Sequence, residues 1–305
     1  MKYNQYNKIL IAISGGQDSI FLINIINYLI NKYSIIIQTE YIYIDHQWKY
    51  DSKIQLMHLI NYILLTNQKL FIYQINSHIL KENIAREFRY NIIIQHAKHK
   101  NSHIIMTAHS QTDKIETFFI NLIRGTSIDG ATSLRINRHM KQYIRLIRPI
   151  LNLSRSYIKF NCMNFCLPVW SDSSNYSMNI YRNRIRNELI PYIANYFNHS
   201  INKQINKFLN YCLIDNEYIK QNTLKLYMHS CHYKYIALNY NQIKSQHSAL
   251  QNRIFQLFFM HHCSILLDHT IIIKIQKILK HNKPGKIIQF DRITIALKSS
   301  WIYIT

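Results

Sequence analysis

Ile9-Leu10-Ile11-Ala12-Ile13-Ser14-Gly15-Gly16-Gln17-Asp18-Ser19 is the stretch whose reading decides the fold. An apolar, β-branched run ends in Ser-Gly-Gly-x-Asp-Ser, and a helix-like segment, residues 20–30, follows. Strand, glycine turn and helix in that order form a phosphate cradle. Gly15 and Gly16 let the backbone approach an anion, and the helix N-terminus offers free N–H groups at a positive dipole end. Ser14 and Ser19 add hydroxyl donors. Asp18 suits such a pocket only with a metal ion between it and the phosphates. A Walker A loop is excluded, because Gly-x-x-x-x-Gly-Lys-Ser/Thr is absent. An ordinary Gly-Gly turn after a core strand is the competing reading, and the strand–loop–helix order favours phosphate.

Outward from this stretch, β-rich runs recur at residues 8–13, 35–44, 69–75, 103–107 and 143–147. Helix-like stretches lie between them at 19–31, 51–66, 81–100 and 112–123. The alternation predicts an α/β fold, a parallel sheet with helices on both faces. Right-handed crossovers then bring the loops after the strands to one edge. Residues 14–19, Asp45-His46 and residues 109–116 fall there. After about Asn198 the alternation stops. The chain is therefore read as an α/β domain, residues 1–198, and a smaller, mainly helical domain, residues 199–305, closed by a hairpin around Asp291-Arg292.

Among 305 residues, 37 Lys and Arg face 15 Asp and Glu, a net charge of +22. Such an excess favours a polyanion. AT-rich coding bias explains much of the Lys, Asn, Ile and Tyr content but not the cluster Arg182, Arg184 and Arg186. Five cysteines without a Cys-x-x-Cys pair fit a reducing compartment, and Cys162 and Cys166, four apart, read as one helix face. No apolar run is long enough to cross a bilayer, and Met1-Lys2-Tyr3-Asn4 reads as neither signal nor transit peptide.

Further motifs follow the loop. Asp45 is either a site residue or an early helix cap. Ala85-Arg86-Glu87-Phe88-Arg89-Tyr90 puts Arg86 and Arg89 on one helix face, by itself a solvated face. Thr107-Ala108-His109-Ser110-Gln111-Thr112-Asp113-Lys114-Ile115-Glu116-Thr117 sets His109, Asp113 and Glu116 on the opening turns of a helix. The two carboxylates are suited to Mg²⁺ or an amine, or to capping the positive dipole end. Arg124-Gly125-Thr126, Arg148-Pro149-Ile150, Asp172-Ser173-Ser174-Asn175 and Tyr181-Arg182-Asn183-Arg184-Ile185-Arg186-Asn187 complete the series.

The loop resembles the PP-loop signature of ATP pyrophosphatases. The motifs together, from about Lys8 to Pro191, resemble the tRNA(Ile)-lysidine synthetase family in its short, plastid-type form. Leu250-Gln251-Asn252-Arg253 and the segment from Gly285 onward resemble, more loosely, that family's tRNA-binding portion. There are departures: Thr112 stands where an acid is usual, Lys114 where Gln is usual, and Ser127 where Gly is common.

The resemblance implies a ligase that forms a C–N bond. ATP adenylates the C2 oxygen of the wobble cytidine of isoleucine tRNA with a CAU anticodon. The ε-amine of free lysine then displaces AMP. It implies that Ser14, Gly15, Gly16, Gln17, Asp18 and Ser19 bind ATP, with Asp18 near Mg²⁺. His109, Asp113 and Glu116 would line the lysine and cytidine side. Arg148 and the trio Arg182, Arg184 and Arg186 would neutralise phosphate or grip the tRNA. The partners expected are tRNA, lysine and ATP, with no membrane, and a homodimer is among the assemblies allowed. The expected place is the plastid stroma, with a bacterial cytoplasm as the alternative. Rival readings are another PP-loop tRNA-modifying enzyme, such as a thiolase, and a non-catalytic basic RNA-binding protein.

Overall fold

The computed structural model describes residues 8–45, 52–75, 82–140, 143–170, 178, 180–280, 287–290, 293–298 and 300–304. His46, residues 172–175, Gly285 and Asp291-Arg292, singled out above, lie outside them. The chain divides into two compact units, Met1–Leu209 and Asn210–Thr305.

The first unit runs β1 (Lys8–Ile13), α1 (Gln17–Lys32), β2 (Gln38–Asp45), α2 (Ser52–Leu64), β3 (Lys69–Gln74), α3 (Glu82–His99), β4 (Ile104–Thr107) and α4 (Gln111–Ile123). It continues through α5 (Ile128–Ala131), β5 (Asn137–His139), β6 (Arg145–Ile147), α6 (Arg155–Asn164), α7 (Tyr181–Arg184), a π-helical turn (Ile185–Leu189) and α8 (Ile190–Tyr196). Helix α9 (Ile201–Ser230) contains the point of division.

The six-stranded sheet has the order β3-β2-β1-β4-β6-β5. All pairs are parallel except β5 with β6. The parallel sheet expected from the alternation carries one antiparallel strand at its edge. Only five residues separate Asn137–His139 from β6, and so short a connection allows only antiparallel pairing.

Strand β1 explains why its sequence is apolar at nearly every position. Ile9, Ile11 and Ile13 point into a core with Phe21, Leu22 and Ile26 of α1, Leu59 of α2 and Ile158 of α6. Leu10 points into the opposite core with Ile93 and Ala97 of α3, Ile105 and Leu146. A strand covered on both faces must be apolar on both. Each fully buried Ile or Leu contributes roughly 2 kcal/mol.

The order also sets the site. From β1 the chain winds one way to β2 and β3, and the other way to β4 and β6. The ends of β1 and β4 therefore flank the point where the winding reverses, where a crevice opens beyond the strand ends. In register, Ala12 faces Thr107 and Met106 faces Ile147. Ser14, Ala108 and Arg148 accordingly leave the sheet side by side.

The second unit holds β7 (Ala237–Asn239), α10 (Tyr240–Lys244), α11 (Ser248–Cys263), α12 (His269–Lys280), β8 (Ile287–Phe290), β9 (Ile293–Lys298) and β10 (Trp301–Ile304). The expected hairpin is part of a four-stranded antiparallel sheet, β7-β10-β9-β8. Leu238, Leu297 and Ile302 of that sheet share a core with Ile254, Phe255, Phe258 and Ile272. Cys166 does not share a helix face with Cys162: α6 ends at Asn164, and Cys166 is exposed with φ of 47°.

Candidate functional site

The glycine loop is built as a cradle. Gly15 has φ of +75°, a conformation costly for any residue with a Cβ. A Cβ there would also stand 3.2 Å from Nε2 of Gln55. Gln55, buried on α2, donates to the Ser14 carbonyl at 3.0 Å and holds the turn. The Ser14 N–H donates to Oγ of Ser19 at 3.1 Å, and the two hydroxyls lie 3.0 Å apart. Gly16 is the N-cap of α1, and no side chain caps that end. The dipole end of α1 is thus left for an anion.

Asp18, on the first turn of α1, carries a buried Oδ1 with no hydrogen-bond partner. Burial pushes its carboxyl up to about 6, Asp113 adds to the rise, and Arg155 and Arg186 oppose it. A buried carboxylate oxygen without a partner is costly in isolation and fits a cation between it and phosphate.

Across the crevice, α4 begins at Ser110. Its backbone N–H donates to Oδ2 of Asp113 at 2.7 Å, so Asp113 does cap the helix. Its other oxygen accepts from Nη2 of Arg182 at 2.7 Å. Glu116, with no exposed surface, accepts from Nε of Arg182 at 2.5 Å and from Nε and Nη2 of Arg186 at 2.5 and 3.0 Å. Burial would raise the Asp113 carboxyl, but Arg182 and then His109 hold it below the usual range. The two arginines are four residues apart, about one helical turn, on α7 and on the π-helical turn that follows it. Arg184 points elsewhere. It is exposed and meets Glu188 at 3.3 Å.

His109 follows β4, and its Nδ1 lies 2.9 Å from Oγ1 of Thr107. Burial lowers it to about 3; Asp113 opposes that, while Arg148, Arg86 and Arg182 reinforce it. The ring is therefore neutral at physiological pH. Arg148, after β6, is buried, donates from Nη1 to the Arg135 carbonyl at 2.7 Å, and leaves Nε unpartnered. Asp45 ends β2 and is buried, and its backbone carbonyl accepts from Ile75.

The structure thus brings Asp18, His109, Asp113, Glu116, Arg148, Arg182 and Arg186 to one sheet edge, and leaves Arg184 on the surface. Sequence reading missed Gln55, Thr107 as the partner of His109, and Arg155 near Asp18. Nothing in the spacing of Gln55 or Arg155 could have flagged them, since each reaches the loop only through tertiary packing.

The PP-loop domain family matches residues 1–193. The chain is 43% identical to the chloroplastic tRNA(Ile)-lysidine synthase of Gracilaria tenuistipitata var. liui, over 97% of this chain and 92% of that one. It is 33% identical to the enzyme of the same name from Pyropia yezoensis, over 100% and 91% respectively. Among solved structures, the U34-tRNA thiolase NcsA of Methanococcus maripaludis is similar in fold, with a TM-score of 0.53 at 15% identity over 67% of this chain and 73% of that one. With its phosphate-type loop at the reversal point of the sheet and relatives alike over almost their whole length, the chain belongs to the tRNA(Ile)-lysidine synthase family of PP-loop proteins.

Proposed function

We propose that this chain joins lysine to C2 of the wobble cytidine of isoleucine tRNA with a CAU anticodon. The tRNA is first adenylated at the C2 oxygen with release of pyrophosphate. The lysine ε-amine then attacks C2, the C2–O bond breaks, and AMP leaves. Lysidine pairs with A rather than G, so codon and charging specificity pass from Met to Ile. One observation carries this reading: an uncapped glycine loop with an unpartnered carboxylate oxygen meets a carboxylate–arginine network at one sheet edge. Likeness to two enzymes of that activity over nearly the full chain supports it.

The ATP phosphates rest on the N-terminus of α1 and on the hydroxyls of Ser14 and Ser19, with Gln17 beside them. Among the described residues no three of His, Cys, Asp and Glu group to hold a metal. The protein's share of a Mg²⁺ site is then Asp18, whose free oxygen fits it, and bound Mg²⁺ would offset phosphate charge. Arg148 faces the developing charge from β6.

The attacking amine must be neutral. Asp113 and Glu116 already face Arg182 and Arg186, so an entering ammonium meets little uncompensated negative charge. Arg148 and Arg86 nearby depress its pKa further. His109, neutral, positions substrate through hydrogen bonds, because a ring titrating near 3 is a weak general base at pH 7. Of the three clustered arginines, Arg184 is the one exposed to an RNA backbone; its surface pair with Glu188 is easily exchanged. Work in the plastid stroma is supported by the chloroplastic relatives. No described helix is long and apolar enough to cross a membrane.

The test is incorporation of labelled lysine into CAU-anticodon isoleucine tRNA with ATP and Mg²⁺. Wild type should incorporate and Asp18→Ala should not. A folded, tRNA-binding wild type that incorporates none would overturn the reading.

A further inference from the structure

In the second unit the chain leaves α9, makes the tight turn 232–236 and enters β7. The His232 N–H donates to the Ala237 carbonyl at 2.9 Å, and Cys231 bridges Leu238. Four rings gather on this turn. Tyr233 stacks on His232 at 4.8 Å and 17°, Tyr235 tilts against it at 5.0 Å, and Trp301 of β10 meets it edge-on at 4.7 Å. The central ring is pinned: Nδ1 of His232 accepts from the backbone N–H groups of Lys234 and Tyr235 at 3.0 and 3.1 Å.

Clustered rings are normally core, yet around the pinned His232 ring Tyr233 is 94% exposed and Tyr235 56%. Single exposed aromatics are common and need no explanation. Several rings gathered on one centre, itself held by backbone hydrogen bonds, are different. Rings that already rest on a fixed ring have less freedom to lose when a flat partner is laid on them.

Charge says which flat partner. Lys234 sits between the two tyrosines, with Nζ 5.8 Å from the Tyr235 ring centre. No Asp or Glu occurs from residue 218 to residue 267. Residues 210–305 carry 12 Lys and Arg against 4 Asp and Glu, a net of +8. Open π-faces with a cation beside them and no acid in the surrounding chain fit a nucleobase attached to a phosphate backbone.

We propose that His232, Tyr233, Tyr235 and Trp301 form a stacking platform for an unpaired nucleotide of the RNA substrate, with Lys234 on the adjoining phosphate. The proposal rests on the reading that the substrate is a tRNA. Stacking needs an exposed base, so the platform takes a looped or terminal nucleotide and not a paired one.

The experiment uses the full chain, with single-stranded oligoadenylate and an RNA duplex as probes, titrated over a salt series. Tyr233→Ala with Tyr235→Ala should weaken oligoadenylate binding about tenfold. The slope of log K against log salt should stay unchanged, because stacking releases no counterions. Duplex binding should hold, and Tyr233→Phe with Tyr235→Phe should bind as wild type. Lys234→Ala should instead weaken both probes and reduce the slope by about one. Oligoadenylate binding by the Ala pair equal to wild type, or an equal loss on duplex, overturns the platform. Lysine incorporation by wild type separates the two readings. Ring-dependent binding without incorporation would sink the lysidine reading alone, and incorporation without ring dependence would sink the platform alone.

Discussion

Glu116→Gln isolates the network that organises the site. Glu116 is fully buried and accepts three hydrogen bonds from two guanidinium groups. Glutamine preserves the shape but removes the charge, and it turns one acceptor into a donor that faces Arg182 or Arg186. Breaking a buried ion pair from one side costs about 3–5 kcal/mol, because the partner charge is left uncompensated. Here the arginine side chains keep 24% and 17% exposure, and Asp113 stays within 3.8 Å of Arg186. Partial hydration and the remaining carboxylate reduce the expected cost to about 2–4 kcal/mol. For a unit of this size each kcal/mol lowers Tm by about 2–4 °C, so calorimetry should show a fall of about 4–16 °C. The control is Glu188→Gln, which breaks the exposed pair with Arg184 and should move Tm by about 1 °C or less. Adding Arg186→Gln to Glu116→Gln should cost less than the sum of the two single changes, because the second removes a charge that the first stranded. A Glu116→Gln Tm within about 2 °C of wild type, or indistinguishable from that of Glu188→Gln, would refute the reasoning.

Other expectations follow from the same geometry. Asp18→Asn should abolish Mg²⁺-dependent ATP–pyrophosphate exchange and yet stabilise the fold at neutral pH. The folded carboxyl is raised from 3.8 to about 6, so the folded state holds its proton more tightly and wild-type stability falls as pH rises through that window. The cost is fully present above 6 and absent below 3.8, and at about 1.4 kcal/mol per pH unit it reaches ~3 kcal/mol. Urea midpoints at pH 7.5 and pH 3.5 should show a gain at the first and none at the second; equal gains at both would contradict it. Gly15→Ala should raise KM for ATP at least about tenfold, since a Cβ strains the loop and crowds Gln55; unchanged ATP binding by calorimetry would count against the cradle. His109 is held near 3, so a pH–rate profile between 5.5 and 8 should carry no histidine limb, and His109→Gln should retain more activity than His109→Ala. A limb near 6.5 that vanishes in His109→Gln would show an imidazolium instead.

Much of this protein is legible in its residues because the relevant physics is local. A strand buried on both faces must be apolar throughout, as residues 9–13 are, and a chain that turns into a helix beside an anion needs Gly at φ of +75°. The alternation of strands and helices, the sheet edge that collects the loops and the basic balance all follow from composition and period. The short β5 escaped because Asn137–His139 is exposed and carries no apolar pattern; only its ladder with β6 makes it a strand. The closing segment reads as one hairpin because alternation does not reveal that β7, some sixty residues earlier, will add a fourth strand.

The sequence by itself determined which residues carry charge, which turn has the glycines and helix start suited to an anion and which strands lie buried, since these depend on neighbours within one turn or one strand. Tertiary structure alone decided what those charges do. In the chain Arg182, Arg184 and Arg186 read alike, as groups to neutralise phosphate or grip the tRNA; packing of the π-helical turn against α4 pairs Arg182 and Arg186 with Asp113 and Glu116 and leaves Arg184 outside. It also left one oxygen of Asp18 unpartnered and took the charge from His109. An ion pair or a displaced pKa depends on distance and burial, and for groups 66–70 residues apart neither exists until the chain has folded.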